Sequence, residues 1–597
     1  MIRAAAGRVS AGLAPAAWLV VDALPAALLA SWAETLLLFV LSPEIPLTLE
    51  GFAATWWALT PQFIVLFVLA GPLLVLFGTA LAVSRTTRLG FSLRYALRFA
   101  LLDAALLTAA CAWQWSRVAA LLPGPARLCL ALMTTTLLVS TVALLALAIA
   151  QARVPSRAVA PWLAAIAAGC LVALAVTGSI RRIEFDRPRA LSIPGFAAER
   201  SVVILEIPAL DPADLRLYDE RGHAETLGRL VAGGSIARIR EPRIADPVAL
   251  HGTLITGRPA RAHGILGAVR YRPATGRRSF GILPRGLLLR PLLRTPLWER
   301  VPVDRRVLRV AALPQIARGL GVPMARIGDP LDWKAGPGEL EVADPRLVAG
   351  ARFVVAGREI VCPAPAGTAE RYFDPPAETL EATPRLERVV ADALVQDLCA
   401  LELSQAAVAA GRWPLVHVRL GGHYRVAYEF AGWRADRRAR GATEDEVRAY
   451  GLTLTRYVRD LDPALGRLVD ALPADGLFVL VSPHGIRPRT DFERLLASLF
   501  GRTTATGSHR GPPDGVIVLR GAGVRPGHRH AGFPVRSVLP TVLWAAGLPA
   551  AEDMGPLVTG VFEETWREGH PVIAIPSFDA PRPRPAGSGS GDAAMLE

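Results

Sequence analysis

The apolar residues of this chain are crowded into its first third. Up to about Ser179, runs of Leu, Ala and Val are broken only by short polar loops; beyond it, polar and apolar segments alternate as in a globular domain. A helix needs about 20 mostly apolar residues to cross a hydrocarbon core. Five stretches come close: Ala16 to Leu41, Pro61 to Val83, Phe91 to Trp113, Leu128 to Ala150 and Pro161 to Thr177. The pattern therefore predicts five transmembrane helices within residues 1–180. The first carries Asp22 and Glu34, within reach of an interface, where packing roles suit them. It is long and followed by further spans, unlike a cleavable signal peptide.

Arginine placement orients these spans. Arg3 and Arg8 precede the first, Arg85, Arg88, Arg94 and Arg98 cluster around the second loop, and Arg153 and Arg157 lie between the last two. The loop from Ser42 to Thr60 has neither Lys nor Arg. The N-terminus is expected in the cytoplasm. Everything past a linker at 181–200 then lies outside, which in a bacterium means an inner-membrane protein with a periplasmic domain.

That domain, residues 201–577, predicts an α/β fold. Ser201 to Leu210, Leu415 to Leu420, Gly476 to Ser482 and Gly515 to Leu519 are short apolar runs of the kind buried strands show. Helical patterns lie between them, at Asp214 to Ala232 and Glu444 to Leu472. Such alternation argues for a mostly parallel sheet with helices on both faces. Residues 268–385, rich in Pro, Gly and Arg, fit poorly and are expected to form a cap or insertion. The tail, 578–597, has the Pro/Arg then Gly/Ser composition of a disordered segment.

Composition changes the picture little. The 597 residues are 52% hydrophobic and carry a formal charge of +14, almost all from arginine, since Lys334 is the only lysine. The arginines are scattered, without the aromatic-interleaved stripe of a nucleic-acid binder, so a nucleic acid is not an expected partner. The bilayer is, along with an envelope lipid, a glycan or another membrane protein. Of the five cysteines, Cys111, Cys129 and Cys170 fall in apolar segments. Cys362 and Cys399 are either a disulfide, if that half is extracytoplasmic, or two separate buried thiols.

Four stretches of the predicted α/β domain carry chemistry. They are EPRIADPVALHGTLITGRPARAHGILG from Glu241, VLVSPHG from Val479, GSHRGPPDGVIVL from Gly507 and VRSVLPTVLWAAGLP from Val535. Together they resemble the type I phosphodiesterase/nucleotide pyrophosphatase branch of the alkaline-phosphatase superfamily. Thr256-Gly257, Pro259 and His263-Gly264-Ile265 carry the first likeness, although Pro259 is one residue closer to the glycine than in the family. The resemblance implies an alkaline-phosphatase-like sheet and two metal ions, usually zinc, that clamp a phosphoryl group. It also implies a Ser or Thr nucleophile at a helix start.

Checked position by position, that machinery is degenerate. Pro208 stands where the first strand should end in an Asp ligand, with Glu206 two residues earlier on the same strand face. Asp246, before Pro247, occupies the nucleophile position. It suits a helix N-cap with Pro at the first helical position. His423 and Ala427 replace an Asp and a His ligand, and Pro483 replaces the Asp of a Ser-Asp-His-Gly turn. His484 and His509 persist. The leading reading is thus a membrane-anchored pseudoenzyme that binds no cofactor and serves as an extracytoplasmic scaffold or binding module. The alternative is a phosphodiesterase or phospho-group transferase working on envelope lipids or glycans, with one zinc held by Asp246, His423, His484 and His509. The order of spans and domain is also that of phosphoethanolamine and lipoteichoic-acid transferases.

Overall fold

The computed structural model describes residues 124–150, a scatter of positions between 28 and 168 around them, and 190–580 except 221, 223, 241–245, 274–297, 332, 365–368, 375–382 and 500–504. The chain divides into two compact units. One comprises Met1–Phe185 with Val269–Pro302, the other Asp186–Ala268 with Val303–Glu597.

In the first unit the principal described element is helix α1, Gly124–Ala150. It contains the one described helix long and apolar enough to cross a membrane, Leu130–Ala150. Leu138, Val139, Val142 and Ile149 are exposed along it, as lipid-facing positions would be. Its other side packs Leu144 against Leu97 and Ala104, and the Thr141 and Thr108 hydroxyls share a hydrogen bond of 3.0 Å. Ser31, Trp56 and Thr60 form a second small polar knot. The other four expected spans fall largely outside the described residues, as does most of the tail.

The second unit is built on an eight-stranded sheet. Its strands are β1 (Val202–Glu206), β2 (Ser235–Ile239), β3 (Met324–Asp329), β4 (Leu340–Ala343), β5 (Leu415–Arg419), β6 (Leu477–His484), β7 (Asp514–Gly521) and β8 (Arg529–His530). The spatial order is β8-β2-β7-β6-β1-β5-β3-β4. From β6 to β4 neighbouring strands run parallel, while β7 is antiparallel to both β6 and β2. The central strands are buried along their whole length, because helices cover both faces. Alternation splits their side chains between two cores. Val203 and Leu205 pack with the helices here called α2 (Pro212–Glu220), α3 (Glu225–Ala232), α6 (Thr383–Ala409), α7 (Gly421–Phe430) and α8 (Thr453–Asp470). Val202 and Ile204 pack with α4 (Pro247–Thr256), α5 (Leu313–Leu320) and α9 (Val535–Ala545).

Two sequence expectations change and one alternative left open is decided. The helical stretches Asp214 to Ala232 and Glu444 to Leu472 are each two helices, Pro212–Glu220 with Glu225–Ala232 and Glu444–Tyr450 with Thr453–Asp470. The stretch 268–385 is not a single cap. A hairpin of Val269–Pro273 with Trp298–Pro302 groups with the first unit, whereas β3 and β4 are strands of the central sheet. The charged residues Arg326, Asp329 and Glu341 hid those strands, since their charges are neutralised inside rather than solvated. Finally, Cys362 and Cys399 are joined in a disulfide between the end of a small hairpin and the middle of α6.

Candidate functional site

The C-terminal ends of β1, β5 and β6 gather the residues that the family resemblance singles out. Strand β1 runs into Pro208 and then Ala209, whose φ of 72° is unusual for a residue with a Cβ. The turn is held by Ala209 N–H donating to the His484 carbonyl, 3.1 Å, and by Leu210 N–H donating to Ser482 Oγ, 3.0 Å. Pro208 supplies no side-chain ligand, and its carbonyl accepts Nδ1–H of His423 at 2.8 Å.

His423 sits in the first turn of α7. Asp397 on α6 fixes that turn by accepting the backbone N–H groups of Gly422 and His423 at 2.8 and 2.7 Å, and the Tyr457 hydroxyl at 2.7 Å. Burial pushes the Asp397 carboxyl up to about 7. His423 is wholly buried, which lowers its pKa to about 4 and keeps it neutral. One turn on, Ala427 faces the apolar core. On β6, Pro483 is likewise without a ligating group. His484 donates Nδ1–H to the Gly485 carbonyl at 2.7 Å, and burial lowers it to about 4. His509 shares a 3.2 Å hydrogen bond with the Tyr424 hydroxyl and packs near Tyr428; burial lowers its pKa too.

Asp246 is the N-cap of α4, accepting Val248 N–H at 3.0 Å with Pro247 following it, as the Asp-Pro pair suggests. The helix ends at Thr256, with Gly257 in the left-handed region at φ 64°. His263 bonds Thr253 and Ile265 within the core and is structural. Gly252 lets it in: a Cβ there would lie 2.7 Å from the His263 ring.

The fold thus brings Pro208, Asp246, His423, Pro483, His484 and His509 to one end of the sheet. The donor set does not fit the family's metal pair. It holds one carboxylate, already engaged as a cap, and three imidazoles, whereas two dications call for several anionic ligands.

A second cluster lies one layer deeper, on the face covered by α4. Glu206 is the last residue of β1, and His417 and Arg419 project beside it from β5. His251 reaches down from α4, and Asp329 ends β3. All five side chains are buried. His251 Nδ1 lies 2.7 Å from Glu206 Oε2, and its Nε2 lies 3.2 Å from Asp329 Oδ1. Arg419 Nε donates to Glu206 Oε1 at 3.3 Å. His417 Nε2 approaches Glu206 Oε2 to 3.6 Å without a hydrogen bond. Burial opposes charge here, yet His251, His417 and Arg419 hold Glu206 well below the usual carboxylate range. Burial likewise opposes charge on His251, but Glu206 and Asp329 raise it to about 9. Among the described residues, Glu206, His251 and His417 are the one group with three ligand atoms all within 4.8 Å of one another.

Sequence reading reached Glu206 but not its partners. The signal was there: a histidine and an arginine alternate inside the buried strand Leu415–Arg419, and a histidine sits mid-helix in an otherwise apolar α4.

The largely parallel sheet with helices on both faces fits an alkaline-phosphatase-like fold. Residues 202–499 match the family model of the type I phosphodiesterases / nucleotide pyrophosphatases. The match spans β1 to the helix before 500 and leaves His509 and α9 beyond its end. No curated protein matches the chain.

Proposed function

We propose that this protein is a membrane-anchored pseudoenzyme whose phosphodiesterase-type domain serves as a binding module outside the cytoplasm. The carrying observation is the state of the strand ends. Pro208 and Pro483 occupy carboxylate positions, and the Pro208 carbonyl is consumed by His423. The residue at the nucleophile position, Asp246, caps its own helix. Without a hydroxyl nucleophile and paired cations, the transition-state charge of phosphoryl transfer has nothing preorganised to meet it. The exposed apolar side of α1 supports the anchor, and the Cys362–Cys399 bond supports an oxidising compartment. The envelope supplies the ligand: a lipid headgroup, a glycan or a neighbouring protein.

One observation favours a second reading, an active single-metal hydrolase or transferase. His423 and His484 each donate Nδ1–H to a backbone carbonyl and carry a buried Nε2 with no hydrogen-bond partner, as metal-ligating histidines do. The test is turnover of a chromogenic nitrophenyl phosphodiester by the purified full-length protein supplied with zinc. Under the pseudoenzyme reading the rate equals that without protein. A rate above it that disappears in both His484→Ala and His509→Ala establishes the second reading instead.

A further inference from the structure

We propose that Glu206, His251 and His417 form a buried zinc-class metal site, separate from the family's ligand positions, with Asp329 as its positioning residue. The donors are one carboxylate oxygen and two imidazole nitrogens, a set suited to zinc and its divalent neighbours. Ligand atoms 2.0–2.2 Å from a tetrahedral zinc stand about 3.4 Å apart. The His417 Nε2 to Glu206 Oε2 separation, 3.6 Å, is close to that spacing, and His251 Nδ1, at 2.7 Å, needs to back off by about 0.7 Å.

The independent sign is His417. Its residue is 1% exposed, its Nε2 has no hydrogen-bond partner, and it is aimed at a carboxylate oxygen just beyond hydrogen-bond reach. Buried polar atoms are rarely left so. A cation between the two atoms gives His417 Nε2 its missing partner. His251 adds the arrangement seen around bound metals, with the nitrogen opposite the ligating one tied to a carboxylate, here Asp329 at 3.2 Å. The three ligands come from β1, β5 and α4, so a bound ion pins that helix to the middle of the sheet. Burial of all three shuts out a substrate. This inference is compatible with either functional reading.

Elemental analysis of the full-length protein, purified without chelators, is expected to find about one zinc per chain. X-ray absorption on that wild-type protein is expected to report nitrogen and oxygen neighbours with two imidazoles and no sulfur. His417→Gln is expected to lose the metal, and Asp329→Asn to bind it about 10–100-fold more weakly. His484→Ala and His509→Ala are expected to retain it. Zinc added to chelator-stripped wild-type protein is expected to raise its melting temperature, which needs no variant to fold. Absence of zinc in the wild type together with no thermal shift on adding it overturns the proposal. So does metal that survives His417→Gln or is lost in His484→Ala, which would place the ion at the family positions instead.

Discussion

Removing the disulfide is the sharpest test of how the second unit is held together. Cys362 and Cys399 are 37 residues apart in sequence, and both are buried. Closing a loop of that length removes unfolded-chain entropy of about 13 cal/mol/K, or about 3.8 kcal/mol at 25 °C. Unfolding entropy of about 2.1 cal/mol/K per residue over roughly 380 residues gives about 0.8 kcal/mol/K, so the melting temperature should fall by about 5 °C. The assay is a circular-dichroism melt of the full-length protein in detergent, comparing C362A/C399A with the wild type, each with and without reductant. Reductant should shift the wild type down to the variant and leave the variant unmoved. Thiol alkylation in intact cells adds the compartment: the pair should be unreactive until reduced, as an extracytoplasmic disulfide requires. Variant and wild type melting together, or a pair that alkylates freely in cells, would refute the reasoning.

Three further outcomes follow from single contacts. Asp462 on α8 accepts the Thr226 and Leu227 N–H groups at the start of α3, at 2.8 and 3.1 Å; Asp462→Ala should cost about 2–4 kcal/mol by denaturant unfolding, two orphaned buried donors and a lost helix-end charge together. Gly252→Ala should destabilise by about 1–3 kcal/mol, since the new Cβ meets the His263 ring at 2.7 Å; an exposed helical glycine would give the opposite sign. Burial depresses His263 to about 3. The unfolded chain, with an ordinary value near 6.5, binds the extra proton first, so this contribution is complete above about pH 6.5 and is lost as pH falls toward 3. Between pH 7 and 5 it should amount to about 2 kcal/mol, and the difference in urea stability between those two pH values should shrink by that much in His263→Asn.

How much was legible beforehand follows from burial. Strands β1, β5, β6 and β7 announce themselves as short apolar runs bounded by turn residues, and each lies where the pattern puts it, within a few residues. Strands β3 and β4 do not, because buried strands are recognised by apolar side chains. Here Arg326 and Glu341 neutralise one another inside, 2.8 Å apart. Asp246 was readable as a cap because capping is local, decided by the residue and the proline after it.

What the sequence determined by itself is therefore whatever short-range chemistry decides: the apolar run of α1, the strand runs and the cap at Asp246. The tertiary structure alone decided which polar residues meet. Glu206, His251, Asp329, His417 and Arg419 come from four elements scattered over more than 200 residues, and nothing in their spacing links them. They converge because β1, β5 and β3 are neighbours in the sheet and α4 lies across them. The same convergence joins Cys362 to Cys399 rather than leaving two separate thiols. A buried charge is tolerated only beside its partners, and partners from distant strands exist only once the sheet has formed.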